Sequence, residues 1–451
     1  MSASTADTVR DVRTYIDDLS DYATSQLTAD EVLLASFDGE DSDFVRFNGG
    51  KVRQAGSVQQ LSADLDLSEG AAHTTATIGL SGQADADKAA ITRALGTMRE
   101  QRTIVPDDPY FMYSTDVASS EHTNVGSAPD GAGIIDAVTT EAGSNDLVGI
   151  WASGRQFSAF TNSLGQRNWF DSNTFNLDWS LYLHADKATK QGYAGFDWDD
   201  QAFAAKVATQ RLQLDALRRD PITLDPGDYR TYLTPSAVKE LTDMLSWGGF
   251  SLRAHRAMDA PLLKMVTEGL SFAPALTISE DTSGGVAPNF EGQGYLRPDS
   301  VPLITNGEFA SHLVSPRSAK EFDVPTNGAS SWEAPLSIHM EPGDLATDAA
   351  MTELGTGLYV GNLWYLNFSD RANCRTTGMT RFATFWIEKG EIVAPVTALR
   401  FDDSAFGLFG DRLEALTDTA EVLLDPESYG ARSTNSARLP GALINDMRFT
   451  L

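Results

Sequence analysis

The sequence is poor in the residues that most often announce a chemistry. It holds one cysteine, Cys374, so an intrachain disulfide is impossible and no cysteine-rich zinc module exists. That usage fits a reducing compartment. Basic residues are scarce beside acidic ones: Lys and Arg number 34 against 63 Asp and Glu, for a formal net charge of -29. Such a surface repels phosphate backbones and argues against direct nucleic-acid binding. No run approaches the roughly 18 consecutive apolar residues of a membrane span. The opening stretch "MSASTADTVRDVRTYIDDLSDYA" has neither a basic n-region nor an apolar h-region. These absences read together as a soluble, cytoplasmic, acidic protein.

What is present suits a sizeable core. The hydrophobic fraction is 41% over 451 residues, enough for two or three domains of roughly 150 residues each. Val9, Val12, Ile16, Leu19 and Ala23 recur at three to four residues and predict an amphipathic helix. "EVLLASF" and "DFVRFNGGKVRQAGSVQQLSADLDL" predict strands turning at Asn48-Gly49-Gly50. "HTTATIGLSG" is a further strand, and "ADADKAAITRALGTMREQ" a helix presenting Ile91, Leu95 and Met98. Leu147 to Leu183 alternate in several short runs, as an antiparallel meander would, and a helix follows over Asp199–Arg218. Pro221 and Pro226-Gly227 interrupt the pattern, which places a boundary between an α/β domain at 1–222 and a β-rich domain at 223–451. The second part opens with the strand "YRTYLT" and the helix "PSAVKELTDMLSW". Hairpins then turn at Asn306-Gly307 and Lys389-Gly390, amid further strands. The class is α+β.

Motifs with a fixed chemistry are mostly missing. There is no G-x-S-x-G elbow, Walker A loop, C-x-x-C pair or H-E-x-x-H helix. "DGAGIID" at Asp130–Asp136 lacks the third glycine of a dinucleotide loop and reads as a flexible loop. Of the six histidines, the closest pair in sequence is His312 and His339, 27 residues apart. No local motif therefore supplies two histidine ligands. His312 and His339 fall in predicted strands, where a hydrogen-bonded role is commoner than a catalytic one. Cys374 has Arg371 and Arg375 nearby, charges that can activate a thiol, although a lone loop thiol without a base is usually inert. The aromatics of "GNLWYLNF" and "TRFATFWIE" alternate as strand core residues do, not as a ligand platform.

Five longer blocks carry a resemblance. "SDFVRFNGGKVRQAGSVQQ" resembles the N-terminal signature of the TldD/PmbA family, metallopeptidases and partner subunits once labelled modulators of DNA gyrase. "VPLITNGEFASHLVSPRSAKEF", "LSIHMEPGD", "TGLYVGNLW" and "RFATFWIEKGEIVAPV" resemble further blocks in the family's order. The similarity runs from about residue 31 to the C-terminus. It implies a two-domain fold, α/β first and mostly antiparallel β second.

The family's active branch is marked by H-E-x-x-x-H early in the C-terminal domain and a cysteine near the end of the chain. A catalytic zinc takes three protein ligands and keeps one position open for water, which a Glu helps to deprotonate. Five residues turn an ideal helix by about 500°, so the two histidines sit about 140° apart and the helix must distort to bring them together. Here the corresponding stretch is "GGFSLRAHRAMDAP", Gly248–Pro261. With His255 as first ligand, Arg256 replaces the Glu and Ala260 the second His, and "YGARSTNSARLPGALI" offers no cysteine. A cation beside a metal opposes its binding. The chain thus resembles the TldE/PmbA-like branch without the zinc motif. The resemblance implies no catalytic residue and no cofactor in this chain, and a TldD-like partner subunit bearing the zinc. The complex would be a cytoplasmic peptidase with an extended peptide as substrate. His255, Arg256, His312 and Arg317 are the candidates for the peptide cleft. Two alternatives are a stand-alone hydrolase built on His255, His312, His339 and Cys374, and a degenerate homo-oligomeric scaffold.

Overall fold

A computed structural model describes residues 5–185 and 187–451. The polar stretch at residues 1–4 and the side chain of Val9 lie outside the described residues. Helix α1 (Thr5–Ser25) buries Ile16, Leu19 and Ala23 on one face. Strands β1 (Val32–Asn48) and β2 (Lys51–Glu69) join through Gly49 and Gly50, both at positive φ, the conformation a tight hairpin needs. They are followed by β3 (Ala72–Leu80), α2 (Ala84–Arg102), β4 (Ser120–Asn124), α3 (Gly131–Ala142), β5 (Asp146–Asn162), β6 (Arg167–His184), β7 (Lys187–Gly195) and α4 (Asp200–Ala216). The strands form one sheet in the order β3-β2-β1-β5-β6-β4, with β7 added to β6. The apolar face of α2 is Ile91, Leu95 and Met98, as the periodicity requires.

Two expectations for this half are corrected. The "DGAGIID" stretch is not a loop. It opens α3, where the Asp130 carboxylate accepts from Gly133 N and Ile134, Val138 and Ala142 are buried at four-residue spacing. A good cap and a packed face outweigh the cost of two glycines in the first turn. The meander is also not a set of short strands but two of 17 and 18 residues. Gly154 is a close-approach position within β5: a Cβ there would lie 2.3 Å from the Asp41 carbonyl oxygen.

The second half begins with β8 (Gly227–Leu233) and α5 (Pro235–Ser246), where Thr234 accepts from Ala237 N and Pro235 opens the first turn. Short helices α6 (Leu252–Arg256) and α7 (Leu263–Thr267) come next. Strands β9 (Ile278–Asp281), β10 (Ser300–Thr305) and β11 (Glu308–Phe309) lead to α8 (Pro316–Phe322), β12 (Ser337–Met340) and α9 (Ala350–Leu354). The chain ends with β13 (Gly357–Asp370), β14 (Arg375–Glu388), β15 (Glu391–Pro395), β16 (Arg400–Ser404), β17 (Leu413–Leu416), β18 (Glu421–Leu424), β19 (Ser436–Leu439) and β20 (Ala442–Phe449). One sheet runs β11-β10-β9-β12-β19-β18. The other runs β13-β8-β20-β16-β14-β15, and the pairing of β13 with β14 closes five of its strands into a ring. The fold is α+β. No helix among the described residues is long and apolar enough to cross a membrane.

The two halves share a core. Trp151, Trp179 and Phe203 of the first pack in one apolar cluster with Tyr232, Phe385 and Leu443 of the second. Two further expectations fail here. His312 is not in a strand but in the connection between β11 and α8. Trp364 and Tyr365 are not core: they are 49% and 79% exposed. The β13–β14 register shifts beyond Trp364, and Tyr365 and Phe382 stand at φ of 58° and 57°, a left-handed conformation that costs an L-residue roughly 1–2 kcal/mol. The alternation that would have buried these rings is broken there.

Candidate functional site

The stretch Gly248–Pro261 forms a turn and one short helix. Gly248 takes φ 83°, and Ser251 then caps α6 by accepting from Ala254 N. The cap fixes the rotation of α6 so that Leu252 and His255 point inward while Arg253 and Arg256 face solvent. His255 is 6% exposed, and its Nε2 donates to the Gly249 carbonyl at 2.8 Å. That donation places the proton on Nε2 of a neutral ring and leaves Nδ1 buried without a partner. The His312 ring meets His255 edge-on at a centroid distance of 4.6 Å, and Phe309 lies 5.0 Å and 4.8 Å from the two. Nε2 of His312 is likewise buried and unpaired.

Both imidazoles are held neutral. Burial lowers the pKa of His255, against the pull of the Gly249 carbonyl. Burial, His255 and Arg256 together push His312 down to about 4, with Glu333 opposing them. A neutral imidazole is the form that can ligate a metal, so the shortage lies elsewhere. Glu333, fully buried nearby, is already saturated. Its Oε2 accepts from Ser251 Oγ and Arg253 N at 2.6 and 2.9 Å, and its Oε1 from Ser315 N and Oγ at 2.9 and 2.8 Å. Burial would raise its pKa, but these hydrogen bonds outweigh it and hold the carboxyl below its ordinary value. Ser251 and Ser315 are the caps of α6 and α8, so Glu333 ties two helix starts together and has no lone pair to spare. Among the described residues, no group of three His, Cys, Asp or Glu side chains could hold a metal ion.

The other candidates are placed as follows. Arg256 sits over the Phe322 ring at 5.6 Å, on the outer side of α6. Arg317 turns toward the first half of the chain, pairing with Asp108 and stacking on Tyr110 at 5.4 Å. The fold therefore joins His255 to His312 and leads Arg317 away. Cys374 is fully buried, and burial pushes its thiol up to about 12 against the opposing charge of Arg371. His339 lies on β12 with Glu341 3.6 Å from its Nε2. Sequence reasoning missed Glu333, whose partners lie 18 to 82 residues away. It also missed His73, whose Nδ1 bonds Asp66 at 2.9 Å and whose ring stacks on Phe111 at 3.9 Å. The β2–β3 register, Ser68 opposite His73, was the available signal for the Asp66 contact.

A family model described as the PmbA/TldA metallopeptidase C-terminal domain matches residues 226–451, half of the chain. The chain belongs to the PmbA/TldD family. Among solved structures, TldE from Thermococcus kodakarensis is similar over 97% of this chain and 100% of its own, with a TM-score of 0.77 at 13% identity. A Thermotoga maritima protein described as a modulator of a DNA gyrase covers 97% of this chain and 99% of its own, with a TM-score of 0.74 at 12% identity. A Bacteroides thetaiotaomicron protein with a like description gives 97%, 98%, 0.71 and 16%. At such identities the likeness establishes a shared fold. No curated protein sequence matches the chain. The family description names a metallopeptidase, and the residues gathered at α6 do not fit a catalytic zinc: among the described residues the two neutral imidazoles have no third ligand, the nearby carboxylate is saturated, and Arg256 adds positive charge.

Proposed function

We propose that this chain is a TldE/PmbA-like subunit that carries no zinc of its own and works beside a TldD-like, zinc-bearing chain in a cytoplasmic peptidase. The observation that carries the reading is Arg256 next to His255, with Ala260 where a second histidine would stand. In this role the chain supplies wall and strand edges to the chamber in which an extended peptide binds. His255 and His312 are neutral, and the unpaired Nδ1 and Nε2 can accept a hydrogen bond but not carry charge to a substrate. A self-sufficient hydrolase built on Cys374 is disfavoured, because a thiol held near 12 supplies almost no thiolate at neutral pH.

The test is a tagged purification from the native cytoplasm, with mass spectrometry and metal analysis of what comes down. The expected result is a near-equimolar second chain bearing H-E-x-x-x-H and about one zinc per pair. A chain that comes down alone, or that retains stoichiometric zinc by itself after gel filtration, overturns the reading.

A further inference from the structure

A second place in the molecule is built like a binding site and lies on other elements. Asn362 pairs with Arg381 across β13 and β14, and Trp364 with Met379, so Arg381 and Trp364 are diagonal neighbours on one face. The Arg381 guanidinium lies 4.1 Å from the centroid of the Trp364 ring and 5.1 Å from that of Phe382. No carboxylate among the described residues pairs with it, in a chain that holds 63 acidic residues. An arginine stacked on its flat faces keeps its N–H fork free in the plane, the edge that reads a carboxylate.

Arg381 lines a cavity of about 640 Å³ between the β6–β7 turn of the first half and β14–β15 of the second. Met379, Pro395, Val396 and Leu217 give it apolar wall. Thr384 also lines it; the residue is 2% exposed, and its Oγ1 is buried with no hydrogen-bond partner. That hydroxyl is sealed from the cavity, so Thr384 adds wall and not a polar contact. The backbone is a second sign of a built site. Phe382 on the cavity wall and Tyr365 beside Trp364 both stand at positive φ, and strain of this kind gathers at ligand clamps.

We infer that this cleft binds an organic monocarboxylate with an apolar body, its carboxylate on the Arg381 fork and its body against the Met379–Val396 wall. Lys187 lines the same cavity, but an ammonium is a point charge, whereas the planar Arg381 fork matches a carboxylate. The same chemistry is offered by a free branched acid and by the C-terminal residue of a peptide. The inference does not rest on the subunit reading: it concerns the chain alone, whereas that reading stands or falls on co-purification.

The experiment titrates the purified full chain with N-acetylleucine, N-acetylleucinamide and 4-methylpentanoate, followed by calorimetry and by Trp emission with Trp364→Phe as the reference. The expected result is that the acids bind at least about tenfold more tightly than the amide. Arg381→Met, which keeps the stacked stem, should lose that preference. Arg381 is exposed, so a loss in that variant does not come from unfolding. Tighter binding of N-acetylleucine than of 4-methylpentanoate identifies a peptide terminus, and the reverse a free acid. Equal binding of acid and amide, or undiminished binding by Arg381→Met, overturns the inference.

Discussion

At the scale of single residues, the two imidazoles that meet beside α6 make a titration argument. His312 has its pKa lowered to about 4 and His255 is lowered as well, both first by burial. Unfolding returns each ring to an ordinary pKa of about 6.5, so the unfolded chain binds more protons between those values. Their contribution to stability is therefore present above about 6.5 and is lost as the pH falls toward the folded values. His73 acts in the opposite sense. Its pKa is raised, chiefly by the hydrogen bond to Asp66 against burial, so its contribution is present at low pH and fades as the pH rises through the folded value. The two effects are separated by a variant. His312→Phe should flatten the rise in Tm between pH 5 and pH 7 relative to the parent, while His73→Asn should remove a loss of Tm that the parent shows as the pH rises above about 6.5. Equal slopes for His312→Phe and the parent would show that the ring is not held neutral by its surroundings.

At the scale of elements, α6 and α8 are joined through Glu333 as well as through an apolar cluster that holds Leu252 and Ala319 and the stacking of Arg256 on Phe322. Each is too short to persist alone, and each begins at a serine whose hydroxyl donates to the same carboxylate. Glu333→Gln would place an amide N–H₂ against N–H and O–H donors. The expected cost is about 2–4 kcal/mol from lost caps and a buried mismatch, read as a lower urea midpoint with unchanged slope. A change within about 0.5 kcal/mol would mean that the two caps stand without it. This device also shows where the sequence was readable. The α2 face, the hairpins at Gly49-Gly50, Asn306-Gly307 and Lys389-Gly390, and the α5 start at Thr234-Pro235 are local signals, and all stand where periodicity and turn chemistry put them. The α3 glycines misled because their meaning depends on a packed face, a contact that arises only on folding. The pairing of His255 with His312 and the clamp on Glu333 join residues far apart in the chain, with no spacing rule to reveal them. Trp364 and Arg381 could be read as strand residues, but not as exposed ones, because the register shift beyond Trp364 has no local signature.

At the scale of the whole molecule, the sheets divide by halves while the core does not. β1 to β7 pair only among themselves, as do the strands from β8 onward. Yet Trp151, Trp179, Phe175 and Phe203 share one apolar cluster with Tyr232, Leu354, Phe385 and Leu443. Isolating either half would expose that face to water, at about 25 cal/mol for each Å² uncovered, and large aromatic rings dominate such a surface. The halves should then unfold together despite their separate sheets. Urea unfolding followed by Trp fluorescence, which samples both halves, and by far-UV circular dichroism is expected to give coincident transitions with a single midpoint. Phe385→Ala, a second-half substitution at fully buried Phe385 in the shared cluster, should lower that midpoint by about 3–5 kcal/mol equivalent in both signals at once. Two resolved transitions, with only one displaced by Phe385→Ala, would show that the joint is an interface between independent domains. The candidate cleft at Arg381, which spans the halves, would then open and close with their motion instead of being fixed by a common core.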